Sequence, residues 1–300
     1  MDSINRVVIL GLDALEYNIV ERLDLNYLKQ KEYGKVKVPI TEGWKEPATV
    51  IVWPCFITGK EPKEMGYSSP ILFRQPLQFL LDNVVFPIRN FIYKTKYVDN
   101  VEEKKLSQDV TNIFKDVTKK SKFARHPERK DIKASTLFDN SFKSAHCYIP
   151  VYDISMDTLA RWDIFDVMNN PKKKNEFCYK YRKEIKDKKE ELFELLNMDY
   201  QVIMMYWYCL DGIQHALFKD KITIDEFYIR FNSVVKEVQD RLSKNDLLLV
   251  ISDHGQEKGI HTPYAFYSSN KELGLNNPHI CDFKGIIEER LKYDNIEDTS

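Results

Sequence analysis

Leu247-Leu-Leu-Val-Ile-Ser252 constrains the fold more than any other stretch of the chain. It offers almost no polar face, so a strand built from it is buried on both sides, as in parallel sheets covered by helices. A similar run, Arg6 to Leu10, opens the chain and ends in Gly11-Leu12-Asp13. Gln201-Val-Ile-Met-Met-Tyr-Trp-Tyr208 supplies a third. Ala14 to Gln30, Lys173 to Leu196 and Glu226 to Leu242 carry apolar residues at helical spacing. Strands and helices in alternation predict an α/β fold, with a mostly parallel central sheet and helices on both faces. Further strands are expected near Gly34 to Ile40 and at Ala145 to Val151, where the chain returns to the sheet. In such sheets ligands gather at the carboxyl ends of the strands.

The middle of the chain breaks the pattern. From 61 to 133 there is little alternation, Leu77 to Tyr93 is an aromatic-rich helical candidate interrupted by Pro87, and Lys119 to Lys130 is strongly charged. The 300 residues are therefore read as a single catalytic domain, 1–300, with a core of about 1–60 and 134–300 and an inserted cap at 61–133. Phe79, Phe86, Phe91 and Tyr93 belong to that cap. With 45 basic and 46 acidic residues the net charge is −1, so no global field favours nucleic acid, and the basic stretch reads as a solvated loop. The first apolar run meets Asp13 within a few residues, which excludes a membrane span there, and the start of the chain lacks a signal-peptide layout. A cytoplasmic location is expected. Five cysteines, Cys55, Cys147, Cys178, Cys209 and Cys281, are an odd number without a C-x-x-C pair and read as reduced thiols.

Hard and imidazole ligands fall at the ends of the expected strands. Asp13 closes the first. Asp211 and His215 follow the Gln201 run and, four residues apart, share one face of a helical turn. Asp253 and His254 directly follow the strongest strand, and His261 comes seven residues after His254. Taken singly, each is an ordinary cap, turn or surface residue; together they converge on one sheet edge. Mixed Asp and His ligands suit zinc or a related divalent metal, with manganese next, because imidazole selects against magnesium and calcium. Six ligands exceed one tetrahedral ion, so two ions are expected, spaced to clamp the attacking and leaving oxygens of a phosphoryl transfer. Thr49 completes the set. It is expected in a loop ahead of a helix whose first turn holds Pro54, where free N–H groups and the helix dipole receive phosphate. A hydroxyl there, next to a metal, can act as nucleophile.

In this order the motifs resemble the alkaline phosphatase superfamily, in particular its type I phosphodiesterase/nucleotide pyrophosphatase family. The match runs through Val7 to Asp13, Thr49 to Gly59, Asp211-x-x-x-His215, Ser252-Asp-His-Gly255 and His261, across roughly 5–70 and 134–270. The resemblance implies that Asp211, His215 and His261 hold one ion, and that Asp13, Thr49, Asp253 and His254 hold the other. It implies cleavage of a phosphodiester or pyrophosphate in a small-molecule phosphate ester through a phospho-threonine. The alternatives on the same metals are a phosphomonoesterase, phosphomutase or phosphonate hydrolase, and beyond those a non-catalytic binding homologue. Cys55 lacks the Cys-x-Pro-x-Arg setting of a sulfatase. The chain departs from the family at Met65-Gly66-Tyr67, where His-Gly-Ile is usual, and Ser68, Ser69 and Pro70 follow where nucleotide pyrophosphatases carry an oxyanion-stabilising Asn. His126, His146 and His279 are expected to be surface or structural residues without partners.

Overall fold

The computed structural model of the protein describes residues 4–40, 46–65, 128–154, 164, 167–168 and 170–292. Its centre is β1 (Arg6–Leu12), all but its first residue buried, hydrogen-bonded in parallel on one side to β4 (Val202–Trp207) and on the other to β5 (Asp246–Ile251). The two flanking strands are fully buried, as their apolar runs require. β3 (Ser144–Cys147) extends the sheet in parallel beyond β4. On the far side β8 (Tyr264–Ser269) runs antiparallel to β5 and carries β2 (Glu32–Lys37) at the edge, giving the order β2-β8-β5-β1-β4-β3. This is the expected mostly parallel α/β sheet, with β8 the one reversed strand. A small hairpin, β6 (Gly255–Glu257) and β7 (Ile260–Thr262), stands apart from it. Neither strand was expected, because three residues are too few for a periodic pattern to register.

Aromatic contacts show that helices cover both faces. Tyr206 meets Trp53 of α3 (Thr49–Thr58) at a ring separation of 5.4 Å, whereas its neighbour Trp207 meets Phe231 of α6 (Lys221–Gln239) at 6.1 Å. Successive strand residues point to opposite faces, so α3 and α6 lie on opposite sides of the sheet. α7 (Asp282–Lys292) joins α3 through Phe283 and Phe56, 6.2 Å apart. α4 (Lys174–Leu196) is tied to β4 by the Lys188 ammonium, which donates to the Tyr206 carbonyl at 3.0 Å. α5 (Cys209–Leu217) follows β4 after one residue.

Three local expectations change. The segment from Ala14 to Gln30 is not one helix but two, α1 (Tyr17–Arg22) and α2 (Asn26–Lys29), separated at Asp24, whose φ of 50° ends a right-handed helix. Pro54 is the sixth residue of α3, not in its first turn, and Thr49 is the first helical residue and not part of a loop. A buried apolar helix accepts this proline because packing outweighs the one backbone bond it removes. The edge strand is Glu32–Lys37, earlier than Gly34 to Ile40, since it is set by pairing with β8. Most of the expected cap, including Phe79, Phe86, Phe91, Tyr93, Pro87 and His126, lies outside the described residues. Of it, 61–65 form a turn after α3, and Arg129–Asp131 form a short 3-10 helix. All five cysteines are free thiols. Among the described residues no helix is long and apolar enough to cross a membrane.

Gly11 couples this packing to position. A Cβ there would lie 2.9 Å from the Trp53 ring and 3.5 Å from Met204, so only glycine lets α3 seat against β1. Gly11→Ala is expected to cost about 1–3 kcal/mol through overpacking, read as a lower urea midpoint. Combining it with Trp53→Phe should recover part of that loss; additive losses would show that the ring is not what Gly11 accommodates.

Candidate active site

The carboxyl ends of β5, β1 and β4 bring six of the expected residues to one place, and the N-terminus of α3 adds the seventh. Asp13 follows β1 and extends its ladder, its N–H donating to the Trp207 carbonyl at 3.0 Å. The chain turns sharply at Ala14, with φ of 58°, and its carbonyl accepts from Gln214 Nε2 at 2.8 Å. Its N–H donates to Asp253 Oδ1 at 3.4 Å. A non-glycine residue held in that region costs about 1 kcal/mol, and here it directs Asp13 and Asp253 into the same pocket.

One group of ligand atoms surrounds His254 Nε2. Asp253 Oδ2 lies at 3.3 Å, Asp13 Oδ1 at 3.4 Å and Thr49 Oγ1 at 3.5 Å. The His254 ring is fully buried and its Nδ1–H donates to the Gly255 carbonyl at 3.2 Å. Burial holds this imidazole down at about 4, so at neutral pH its Nε2 presents a lone pair. The second group gathers on Asp211 Oδ1, with His215 Nε2 at 3.1 Å and His261 Nε2 at 3.5 Å. His261 Nδ1–H donates to the Pro47 carbonyl at 3.0 Å; burial lowers this imidazole, but its bond to Asp211 more than reverses that and holds it above its usual range. Burial raises the Asp211 carboxyl, but the two imidazoles more than reverse this and hold it well below its usual range. The groups adjoin: the His254 and His261 rings stack at 3.8 Å, and Asp211 also belongs to a cluster with Asp13 and His254.

Asp13 Oδ1, Asp211 Oδ1 and Asp253 Oδ2 are all buried, and none accepts a hydrogen bond among the described residues. Buried carboxylate oxygens that accept no hydrogen bond are costly unless a cation sits among them. Carboxylate oxygen with imidazole nitrogen is also the donor set of zinc-type ions. These residues therefore fit a divalent metal pair. A third group, Glu61, His279 and Cys281, is different. The Cys281 N–H donates to His279 Nδ1 at 3.4 Å, which leaves Nε2 protonated toward Glu61, also at 3.4 Å.

Four residues of the site escaped the sequence reading. Tyr206 is buried in β4 and donates its hydroxyl to Asp13 Oδ2. Gln256 Nε2 lies 2.9 Å from His215 Nδ1. Glu46 accepts the His261 N–H at 3.1 Å. Glu16 is fully buried and accepts from Tyr264 and Thr262 at 2.9 and 3.1 Å. Tyr206 is visible in the sequence only as one more apolar strand residue, and Gln256 carries no signal beyond following Gly255. Two other expectations change: His146 pairs with Asp153 at 2.7 Å, and His279 pairs with Glu61, so neither lacks a partner. Ser68, Ser69 and Pro70 lie outside the described residues.

The family model for type I phosphodiesterase / nucleotide pyrophosphatase matches residues 7–266. The chain belongs to this family. Membership supports a phosphoester hydrolase. Among solved structures, the PH0037 protein from Pyrococcus horikoshii is 12% identical, with 97% of this chain and 98% of that one covered and a TM-score of 0.48. Alkaline phosphatase from the Antarctic bacterium TAB5 is 10% identical, with 97% and 99% covered and a TM-score of 0.46. Murine ectonucleotide pyrophosphatase / phosphodiesterase 5 is 13% identical at a TM-score of 0.41, and the match spans 83% of this chain but 57% of that one. No curated protein matches the chain.

Burial, followed by the neighbouring Asp253 and Asp211 charges, pushes the Asp13 carboxyl well above its usual 3.8. Its ionised form is thus costlier in the fold than in the unfolded chain, so stability is lost as pH rises through the window between 3.8 and the raised value. With metal chelated, Asp13→Asn should be more stable than the parent at pH 7, on the order of 1–3 kcal/mol, and should show a flatter pH dependence. Urea unfolding across pH measures this, and an unchanged or less stable variant contradicts it.

Proposed function

We propose that the protein is a two-metal hydrolase that cleaves a phosphodiester or pyrophosphate bond through a phosphorylated Thr49. The observation that carries this reading is the position of Thr49 Oγ1, 3.5 Å from His254 Nε2, at the first residue of α3. A nucleophilic hydroxyl, a helix N-terminus able to receive phosphate and two groups of metal-type ligands meet there. Asp211, His215 and His261 would hold one ion, and Asp13, Thr49, Asp253 and His254 the other. The donor set favours zinc, with manganese next. When bound, such ions neutralise phosphate charge and ease deprotonation of the threonine hydroxyl.

The chain's own residues supply the rest. The leading N–H groups of α3 orient the phosphoryl oxygens beside Thr49. Thr49 Oγ1 forms a bond to phosphorus as the bond to the leaving oxygen breaks. Water then attacks the phospho-threonine from the side the leaving group vacated, and Thr49 is regenerated with a proton on Oγ1. Two in-line displacements retain configuration at phosphorus. Tyr206, donating to Asp13, keeps that carboxylate's second oxygen turned toward His254.

Thr49→Ala should lower turnover of an aryl phosphodiester by at least about 10³-fold, while Thr49→Ser keeps part of it. A chiral phosphorothioate diester should react with retention; net inversion would point to direct attack by water. Elemental analysis of zinc-reconstituted protein should give about two ions per chain, falling by about one in His215→Ala and by about one in Asp253→Ala. A single ion in the parent would remove the two-metal reading.

A further inference from the structure

Cys55 and Cys281 meet where the end of α3 packs against the start of α7. Cys55 is the seventh residue of α3 and fully buried, whereas Cys281 is partly exposed and directly precedes α7. The backbones touch beside them. Gly59 caps α3 with φ of 64° and donates its N–H to the Cys55 carbonyl at 2.9 Å, and a Cβ there would lie 3.2 Å from the Cys281 carbonyl. Phe56 and Phe283 close the same seam at 6.2 Å. Between these contacts the two thiols hydrogen-bond to each other.

The segment that carries Cys281 is held on both sides. The Lys37 N–H donates to the Pro278 carbonyl at 2.9 Å, the Ile280 N–H donates to the Lys37 carbonyl at 2.9 Å, and the His279 N–H donates to Asp282 Oδ2 at 2.7 Å. The His279 ring is engaged at both nitrogens: Nδ1 accepts the Cys281 N–H, and Nε2 faces Glu61 at 3.4 Å. It offers no free lone pair to a cation. That leaves two sulfurs and one exposed carboxylate, too few for a closed metal site. Cys147 differs, because its thiol pairs with Glu191.

Two thiols in hydrogen-bond contact need only a small side-chain rotation to reach the bond length of a disulfide, about 2.05 Å. Burial sets the order in which they react. An oxidant from solution reaches the partly exposed Cys281 before the enclosed Cys55. The hydrogen bond to Cys281, and then burial, push the Cys55 thiol up and keep it protonated, so it reacts second.

We propose that Cys55 and Cys281 are a modification site, which a peroxide oxidises to a disulfide that staples α3 to α7. The Cys281 sulfur bonds to one peroxide oxygen as the O–O bond breaks; the other oxygen leaves with the thiol proton as water, and Cys281 becomes a sulfenic acid. The Cys55 sulfur then bonds to the Cys281 sulfur as the S–O bond breaks, and the departing hydroxide takes the Cys55 proton as a second water. The electron pair given up by the thiols reduces the peroxide. The bond joins a helix early in the chain to one near its other end, and such a long closed loop restricts the unfolded chain most. Thr49 begins α3 and Cys55 lies in its second half, so the staple does not depend on the two-metal reading.

Full-length protein with metal chelated, pulsed with hydrogen peroxide and counted in denaturant, should lose about two of its free thiols. Its digest should contain a linked Cys55–Cys281 peptide, and its urea midpoint should rise and fall back with dithiothreitol. Cys281→Ser should give neither the linked peptide nor the shift. Cys55→Ala, which removes the thiol without burying a hydroxyl, should leave Cys281 as a sulfenic acid that a dimedone label traps. An unchanged thiol count in the parent would overturn the proposal, as would a cross-link between other cysteines, over-oxidation of Cys281 without a linked peptide, or a linked protein with an unchanged midpoint. A zinc ion bound by the parent and lost in Cys281→Ser would also overturn it, because the thiols would then be metal ligands. The parent's digest decides the linkage even where a variant fails to fold.

Discussion

Asp13, Asp211 and Asp253 place three carboxylates in one pocket, at 0%, 5% and 0% exposure, and one oxygen of each accepts no hydrogen bond among the described residues. Burial and the neighbouring charges push the Asp13 carboxyl well above its usual range, whereas the His215 and His261 imidazoles hold Asp211 below its own. The fold must therefore hold together what its own electrostatics push apart. Contrast Glu16, equally buried a few residues from Asp13, whose carboxylate takes the Asn18 N–H at 3.0 Å and the Tyr264 and Thr262 hydroxyls. Glu16 thus finds its donors within the chain. The three aspartates instead turn oxygens without hydrogen bonds toward imidazole nitrogens, a donor set that fits a divalent cation.

Rigid neighbours absorb the repulsion. The three central strands are hydrogen-bonded along their lengths, so the residues leaving their carboxyl ends cannot drift apart without breaking the ladder. From one face, Trp53 packs edge-on against Tyr206 and over Gly11, which sets α3, and with it Thr49, relative to β1 and β4. Tyr206 then uses its hydroxyl on Asp13. One aromatic pair thus locates both the candidate nucleophile and a carboxylate it would work beside. A site held this way keeps its geometry within the narrow tolerance that proximity catalysis requires.

What was legible in the sequence follows the range of the signal. The runs at Arg6 to Leu10, Gln201 to Tyr208 and Leu247 to Ser252 are dictated by continuous burial, which leaves a local imprint, and all three are strands. Asp211 and His215 declare themselves by a four-residue spacing, and the structure brings Asp13, Thr49, Asp253, His254 and His261 to the same pocket. The β6–β7 hairpin, the break at Asp24 and the interior position of Pro54 are decided by tertiary packing, against which local propensity is a weak guide. Tyr206 and Gln256 stayed hidden for a related reason. Each acts through a partner distant in sequence, 193 residues away for Tyr206 and 41 for Gln256, and a single sequence records no such pairing.

The two ligand groups are not independent units. Asp211 lies within both clusters, and the stacked rings of His254 and His261 form a shared wall between them. Positive charge placed in either group acts on the same Asp211 carboxylate, so each group's electrostatics depend on the occupant of the other. The hairpin adds a mechanical link, because β7 carries His261 and β6 begins at Gly255, the residue after His254. A displacement of the hairpin would move ligands of both groups at once. Tight seating of Gly255 against Glu16 and Thr262 suppresses that displacement, which gives the fully satisfied carboxylate of Glu16 its purpose. It is the fixed point against which the unsatisfied carboxylates are held.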